Sequence, residues 1–173
     1  MGTLISNRVS RGALLIAMTT VATMVIRIPN PATQGYINLG DCMVFTVALL
    51  FGGRMAGLAG GLGSALADGL GGYFIWAPWT LVIKGVEGLV VGWLAAGCQS
   101  RFRGGRLRVF ETGALLVGGI WMVSGYYLAG MVLIGVTAAV TEIPGNILQA
   151  AVGMAVALPL STALRRALKQ ESQ

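Results

Sequence analysis

Long apolar runs separated by short polar breaks dominate the chain. Six runs, at about residues 12–26, 41–53, 55–70, 79–97, 110–127 and 145–164, are apolar over most of their length. About 20 apolar residues in an α-helix cross the hydrocarbon core of a bilayer. The pattern predicts an all-α fold, a polytopic membrane protein whose six-transmembrane-helix bundle forms a single domain over residues 1–173.

One apolar stretch is too long for a single span. It extends from about residue 112 to residue 140. If it held two spans, Arg165 and Arg166 would face the outside, against the usual enrichment of basic residues in cytoplasmic segments. We therefore expect one span over 110–127, followed by an outer segment that is partly helical.

Composition supports a membrane protein. Only 10% of the residues are charged, 55% are hydrophobic, and 27 are glycine. Soluble domains are about one quarter charged, and glycine is more frequent in transmembrane helices than in soluble ones.

The basic residues fall at one end of the predicted helices, which sets the expected orientation. Ten of the twelve are Arg8, Arg11, Arg54, Arg101, Arg103, Arg106, Arg108, Arg165, Arg166 and Lys169. The positive-inside rule then predicts that both termini are cytoplasmic. A nucleic-acid site would need aromatic residues among the basic ones. Only Phe102 fits that description, so we expect no nucleic-acid partner.

Several kinds of chemistry have no support in the sequence. The chain has no histidine and two separated cysteines, Cys42 and Cys98, so neither a metal site nor a disulfide is expected. Phosphate-binding glycine motifs are absent. No nucleophile–base pair with a recognisable spacing is present. We predict no cofactor, no catalytic residues and no enzymatic activity.

Two charged residues interrupt the fourth run. Lys84 and Glu87 are separated by three positions and therefore share one face of the predicted helix. Charged groups in hydrocarbon are costly and commonly mark the path of a solute or ion. The alternative is a structural ion pair between helices, because pairing relieves the desolvation cost without any ligand.

Small residues form stripes on two predicted helices. In the third run, residues spaced by four are Gly53, Gly57, Gly61, Ala65 and Gly69. Such stripes let helices approach closely in lipid, so this one predicts tight helix packing. Ala13 and Ala17 in the first run have the same spacing, which fits either internal packing or docking of a helix from another membrane protein.

Polar and aromatic residues gather toward the predicted outer side. Together with Tyr36 in the first outer loop, the candidate ligand-binding residues are Asn38, Asp41, Trp76, Trp79, Lys84, Glu87, Glu142, Asn146 and Gln149. Converging polar groups with apolar walls are typical of small-molecule sites in helix bundles. As an alternative, the tryptophans are an interfacial belt, and Asp41 and Glu142 are helix caps.

The order of the motifs resembles a known family. These motifs are Ile37-Asn-Leu-Gly-Asp41, Ala48-Leu-Leu-Phe-Gly-Gly53, the glycine-rich segment from Gly57 to Asp68, Gly72-Tyr-x-x-Trp-Ala-Pro78, Lys84-Gly-x-Glu-Gly88 and Glu142-Ile-Pro-Gly-Asn146. They resemble those of the substrate-binding S components of energy-coupling factor (ECF) vitamin transporters. Within that family the chain is similar to the branch labelled riboflavin-type or hydroxymethylpyrimidine/pyridoxine-type.

The resemblance implies a function and partners. It implies six helices and an outward-facing site for a vitamin or precursor, gated by the first loop and the loop before the fourth span. The implied partners are a membrane T subunit and two cytoplasmic ATPases. Family S components dock on the T subunit through small alanines of the first helix, a pattern that Ala13 and Ala17 match. The implied location is a prokaryotic cell membrane.

Roles for the candidate residues follow from their chemistry. Tyr36, Trp76 and Trp79 would stack on or cover a flat heteroaromatic ring. Amides of Asn38, Asn146 and Gln149 would bond ring nitrogens and hydroxyls, and Lys84, Glu87 and Glu142 would supply charge or orient the amides. The alternative function is a stand-alone ion-coupled carrier, or an intramembrane enzyme, using a proton relay through Asp41, Asp68, Lys84 and Glu87.

Overall fold

The computed structural model describes residues 2–102 and 104–170, and the side chains of 9–102 and 104–167. Arg103 and the side chains of Arg8 and Lys169, all predicted to lie in the basic cluster, fall outside these ranges. Helices account for most of the described chain. The elements are α1 (Gly2–Val25), β1 (Arg27–Asn30), β2 (Gly35–Asn38), α2 (Gly40–Phe51), α3 (Gly53–Gly71), α4 (Ala77–Arg101), α5 (Gly104–Ile134), α6 (Val136–Val140) and α7 (Glu142–Gln170).

Not every helix is long enough to be recognised as a membrane span. In the described residues, three helical stretches are long and apolar enough: Ala77–Arg101, Gly104–Ile134 and Val136–Ala167. The apolar part of α1, Val9–Val25, and α2 are shorter. The helical, membrane-type architecture is confirmed, and the count of six spans stays a prediction.

Helix α2 lies at the centre of the bundle. It contacts α1, α3, α4 and α7, and nine of its twelve residues are buried. A helix that is apolar all round needs neighbours on every side, and this sequence, Gly-Asp-Cys-Met-Val-Phe-Thr-Val-Ala-Leu-Leu-Phe, has one charged residue, Asp41. With 12 residues the helix is only about 18 Å long.

Glycines hold α3 and α4 together, as the small-residue stripe predicts. A Cβ at Gly53, Gly57 or Gly61 would lie 2.6–3.1 Å from a backbone carbonyl oxygen of α4. The fit is reciprocal, because a Cβ at Gly88 would lie 2.4 Å from the Ala56 oxygen. Gly69, the last member of the stripe, has open space beside it.

The predicted first outer loop contains a short β-hairpin, which the sequence did not predict within the otherwise helical fold. Strands β1 and β2 pair antiparallel, with Arg27 opposite Asn38 and Asn30 opposite Gly35. The turn places Gln34 at φ 51°. Strands of four residues are too short to show an alternating hydrophobic pattern, and the flanking prolines suggest an irregular loop.

Helix α5 is longer than the predicted fifth span. It continues past residue 127 to Ile134, where Gly135 at φ 86° ends it. The short helix α6 then leads into α7. The expected partly helical outer segment is therefore the last part of α5 together with α6. The span length alone could not predict this, because nothing requires a helix to end at the edge of the hydrocarbon.

The two ends of the bundle differ in chemistry. At one end, here called the basic end, the Leu49 carbonyl of α2 accepts from Gln99 Nε2 of α4 at 2.9 Å and from Arg165 Nη2 of α7 at 2.7 Å. Arg165 also pairs with Glu111 of α5 at 2.8 Å. The opposite end, the hairpin end, carries the β-hairpin and the start of α7.

Cys42 and Cys98 are both free, as expected.

Candidate functional site

One face of α7 holds the hairpin. Glu142, Asn146 and Gln149 lie at i, i+4 and i+7 and therefore share that face. The Glu142 carboxylate accepts from Thr33 Oγ1 and, at 3.2 Å, from Asn30 Nδ2. Gln149 Oε1 accepts from the backbone N–H of Asn38 at 2.8 Å. The hairpin is thus tethered to α7 at both of its ends, with Asn146 between the tethers.

A small cavity lies under the tethered hairpin. Its volume is about 30 Å³, which is the size of a water molecule. Polar and aromatic side chains from the hairpin, α3, the turn before α4, α4, α5 and α7 surround it and leave it partly open. The lining residues are Gly35, Tyr36, Asn38, Asp68, Trp76, Thr80, Tyr126, Glu142, Asn146 and Gln149.

Two donors in the cavity wall have no partner among the residues that the structure describes. Trp76 Nε1 and Asn146 Nδ2 are buried, and among the described residues neither meets a hydrogen-bond acceptor. Both side chains are 4% exposed. A buried donor without an acceptor costs roughly 1–3 kcal/mol. Such groups call for an explanation, and a ligand with two acceptor atoms would satisfy both.

Tyr36 connects three elements at the edge of the cavity. Its hydroxyl donates to Asp68 Oδ1 of α3 at 2.6 Å, and its ring centroid lies 4.4 Å from that of Tyr73, in the turn before α4. Burial, with the Asp68 carboxylate, raises the pKa of Tyr36. The phenol therefore keeps its proton and acts as a donor. The two loops expected to act as gates contact each other through these rings.

Three charged residues form a buried cluster behind Gln149. The Lys84 ammonium of α4 binds Asp41 of α2 and lies 3.0 Å from Glu87 Oε2. All three side chains are at most 1% exposed. Gln149 Nε2 donates to Asp41 Oδ2 at 3.2 Å. The cluster therefore supports the cavity wall through Gln149, and Lys84 has the additional partner Asp41 that helix spacing did not suggest.

The structure brings six of the ten predicted residues to the cavity. These six are Tyr36, Asn38, Trp76, Glu142, Asn146 and Gln149. Asp41, Lys84 and Glu87 do not line it but form the cluster behind it. Trp79, on the first turn of α4, is 37% exposed and does not belong to the lining.

Sequence reasoning missed several contributors. Tyr126 and Thr80 line the cavity and bond each other, with the Tyr126 hydroxyl 3.1 Å from Thr80 Oγ1. Thr33 and Asn30 fix the Glu142 carboxylate. A threonine or tyrosine in an apolar helix gives no signal of its own. The hairpin residues could be found only once the hairpin was known.

Metal binding has no support here. Among residues 2–102 and 104–170, no group of three or more His, Cys, Asp or Glu side chains is arranged to hold a metal ion.

The four residues of the proposed proton relay do not form one hydrogen-bonded chain. Asp68 accepts a hydrogen bond from Tyr36 and is not hydrogen-bonded to the buried charged cluster.

Comparison with known proteins decides the family. The family model described as the ECF-type riboflavin transporter S component matches residues 4–166. The chain belongs to this family. Its members are transporter components and not enzymes, which confirms the absence of enzymatic activity.

Two relatives show how far the similarity extends. An "uncharacterized protein in gap 3'region" of Pyrococcus woesei is 46% identical over 147 residues, covering 85% of this chain and 94% of that protein. The thiamine precursor transporter HmpT of Lactococcus lactis subsp. cremoris (strain MG1363) is 28% identical over 168 residues, covering 94% of this chain and 93% of that protein. The family model and HmpT thus name two different vitamins.

Proposed function

We propose that this chain is the high-affinity vitamin- or precursor-binding subunit of an ATP-driven ECF importer in a prokaryotic cell membrane. Membership of the S component family supports this role. The relative HmpT is named as a transporter of a thiamine precursor, which also supports it. The subunit would present its ligand to a membrane T subunit and two cytoplasmic ATPases. ATP would be handled by those partners.

The observation that carries the proposal is the pair of unsatisfied donors in the cavity under the hairpin. Trp76 Nε1 and Asn146 Nδ2 would each donate to a ring nitrogen or hydroxyl of the ligand. The rings of Trp76 and Tyr126, which contact each other at a centroid distance of 6.1 Å, would together form one aromatic wall against the heteroaromatic ring. These groups offer both the flat apolar walls and the directed polar contacts typical of small-molecule sites.

Binding would require the hairpin to move. A cavity of about 30 Å³ is smaller than any vitamin ring. The hairpin and the turn before α4 meet at Tyr36 and Tyr73, and separation of these rings would open the cavity to the hairpin end. We propose that these two segments are the gates.

A second surface suits the partner subunit. Ala13 and Ala17 of α1 are both exposed. Ala13 also lines an open, largely apolar groove of about 700 Å³ between α1 and α3 near the basic end. Small residues on an exposed helix allow another helix to approach closely in lipid. We propose that the T subunit docks here.

The membrane arrangement would follow from the two ends. The proposal places the basic end in the cytoplasm and the hairpin end outside, with α1, α2, α3, α4, α5 and α7 as the six spans. Arg11, Arg54, Arg101 and Arg165 would then lie on the cytoplasmic side, as the positive-inside rule expects.

Ligand identification would test the proposal directly. Native mass spectrometry of gently purified protein, followed by calorimetric titration with riboflavin, thiamine, pyridoxine and 4-amino-5-hydroxymethyl-2-methylpyrimidine, should reveal one ligand with submicromolar affinity. Asn146→Ala should weaken it. Binding of none of the four, with a folded protein, would contradict the proposal. Uptake that survives deletion of every ATPase partner would favour the ion-coupled carrier instead.

A further inference from the structure

The charged side chains that line the cavity are all acidic in the described part of the chain. Asp68 and Glu142 both line it, and both are at least nine-tenths buried, at 3% and 7% exposed. No lysine or arginine belongs to the lining among the described residues. Both carboxylates accept hydrogen bonds, Asp68 from Tyr36 and Glu142 from Thr33 and Asn30. Neither donates one to a described residue, as expected of ionised carboxylates, which are acceptors only.

Two cationic side chains lie near the cavity without being part of its lining. Lys84 lies behind Gln149, where Asp41 and Glu87 already provide two negative charges for its one positive charge. Arg27 packs over the Tyr36 ring, 5.1 Å from its centroid, and donates from Nη2 to the Ala67 carbonyl at 3.2 Å. Neither side chain belongs to the cavity lining. Both lie against rings that do, Arg27 over Tyr36 and Lys84 5.8 Å from the Tyr126 centroid. With Asp41 and Glu87 behind the wall, however, four carboxylates surround the cavity against these two cations, so a bound anion meets an excess of negative charge.

The unpartnered donors of the cavity wall nevertheless suit a polar ligand. Trp76 Nε1 and Asn146 Nδ2 are neutral donors without acceptors among the described residues. They suit neutral acceptors such as ring nitrogens and hydroxyls. A phosphate ester could accept from them too, but it carries about −1.5 to −2 charges at pH 7. Beside two buried carboxylates, in a medium of low dielectric constant, that charge is strongly repelled.

We propose that the cavity selects its ligand by charge: it takes a neutral or cationic heteroaromatic alcohol or amine, and Asp68 and Glu142 exclude the phosphorylated forms. This inference rests on the proposed function and adds the class of ligand. Glu142 is fixed by the hairpin itself, so charge selection and closure of the hairpin use the same residue. A transporter built this way imports the free vitamin and leaves its phosphate esters outside.

Matched ligand pairs test the proposal. Full-length protein in lipid nanodiscs is titrated with riboflavin and riboflavin 5′-phosphate, with pyridoxine and pyridoxine 5′-phosphate, and with 4-amino-5-hydroxymethyl-2-methylpyrimidine and its phosphate. For the pair whose unphosphorylated member binds, the phosphate should bind at least about 100-fold more weakly. Equal or tighter binding of the phosphate would overturn charge selection while leaving the proposed function intact.

Charge-neutralising variants separate charge from size. Glu142→Gln and Asp68→Asn keep an acceptor oxygen for Thr33 and Tyr36, so the protein should still fold, as thermal unfolding will show. The ratio compared is the affinity for the unphosphorylated compound divided by the affinity for its phosphate ester. Each variant should lower this ratio by at least about tenfold, mainly because the phosphate ester binds more tightly. If one variant does not fold, the other decides.

The control is Glu111→Gln, at the basic end. Glu111 is as buried as Asp68, at 3% exposed, but pairs with Arg165 far from the cavity, so the ratio should not change. If the wild-type protein strongly prefers the unphosphorylated compound and neither Glu142→Gln nor Asp68→Asn changes that preference, the phosphate ester is excluded by its size. That result would overturn the proposal. If no unphosphorylated compound binds the folded wild-type protein, the proposed function fails and charge selection falls with it.

Discussion

At the residue scale, two tryptophans show how the same side chain serves different purposes. Trp121 Nε1 of α5 donates to the Ile83 carbonyl of α4 at 3.0 Å and so ties two helices together. Trp76 Nε1 has no acceptor among the described residues, although its side chain is almost fully buried. The first N–H stabilises the fold, whereas the second is available to a ligand.

Removing each N–H in turn should therefore have opposite consequences. Trp76→Phe keeps a ring in place but removes the donor. We expect ligand affinity to fall about 3- to 10-fold, the worth of one neutral hydrogen bond, with little loss of thermal stability without ligand. Trp121→Phe should lower stability and leave affinity unchanged. Calorimetry and thermal unfolding of both variants provide the measurement. Equal affinity in Trp76→Phe would remove this indole from the ligand contacts.

The buried charges differ in how much each one matters. One ammonium, Lys84, serves two carboxylates, Asp41 and Glu87. The cluster is therefore sensitive to loss of the single cation and tolerant of loss of one anion. Because none of the three lines the cavity, their effect on the ligand should be indirect, through Gln149.

Single substitutions in the cluster should follow this order. Lys84→Met leaves two buried carboxylates without a cation and should cost about 3–5 kcal/mol of folding free energy. Glu87→Gln leaves the Asp41–Lys84 pair intact and should cost about 1 kcal/mol. Unfolding measurements without ligand test the order. If Glu87→Gln is stable yet loses tenfold or more in ligand affinity, Glu87 contacts the ligand and our placement of it is wrong.

At the scale of elements, the α3–α4 pair depends on glycines that face a backbone. A Cβ at Gly88 would lie 2.4 Å from the Ala56 carbonyl oxygen, closer than any real contact, and a backbone atom cannot rotate away. Gly97, nine residues later in the same helix, has open space on that side. The two positions therefore make a matched pair.

Alanine substitution should have opposite effects at these positions. Gly88→Ala forces α3 and α4 apart and should cost roughly 1–3 kcal/mol, as overpacking does. Gly97→Ala adds a better helix former without a clash and should be neutral or stabilising by up to about 1 kcal/mol. Thermal midpoints in one detergent would compare them. Equal shifts for the two variants would argue against close backbone packing at Gly88.

The small residues Ala13 and Ala17 of α1 lie on the exposed surface of the helix bundle. Ala13→Trp or Ala17→Trp should abolish uptake by the assembled importer, because a bulky ring blocks a close helix–helix approach. Ligand affinity of the isolated subunit should not change, since α1 does not line the cavity. Ala155→Trp, at an exposed position of α7, is the control and should leave uptake unaffected. If binding and uptake fell together, the alanines would serve the internal fold.

At the scale of the whole molecule, the proposed roles of the two ends depend on how the protein is oriented in the membrane. The hairpin end holds the cavity and the tethered hairpin, and the basic end holds Arg165 bonded to Glu111 and to the Leu49 carbonyl. Uptake requires the cavity to be reachable from outside and the docking surface to be reachable by the partner subunit. The orientation proposed for the protein rests on the distribution of its basic residues.

Cysteine labelling tests the orientation. In a background with Cys42 and Cys98 replaced by alanine, Ser10→Cys and Gly105→Cys should resist an impermeant reagent in intact cells. Ala32→Cys, in the exposed hairpin turn, should react. The expectation follows from the positive-inside rule. Labelling of Gly105→Cys from outside would reverse the proposed topology.

The sequence by itself determined the class of protein and much of the site. Apolar runs and sparse charge indicate membrane helices, and the glycine stripe predicts close packing of the third helix, because both features depend on local spacing. That the partner is α4 came from the structure. Spacing also placed Glu142, Asn146 and Gln149 on one face of α7. Conversely, the length of α5 and the hairpin were missed, since neither leaves a periodic signal.

Only the tertiary structure decided which polar groups have partners. Lys84 and Glu87 share a helix face in any model of the sequence, but the binding of Asp41 depends on how α2 is rotated against α4. Trp76 and Trp79 are equivalent in the sequence, yet one is buried and the other 37% exposed. Within the described part of the chain, Trp76 Nε1 and Asn146 Nδ2 lack acceptors. This depends on every neighbouring element at once, so no local pattern could reveal it.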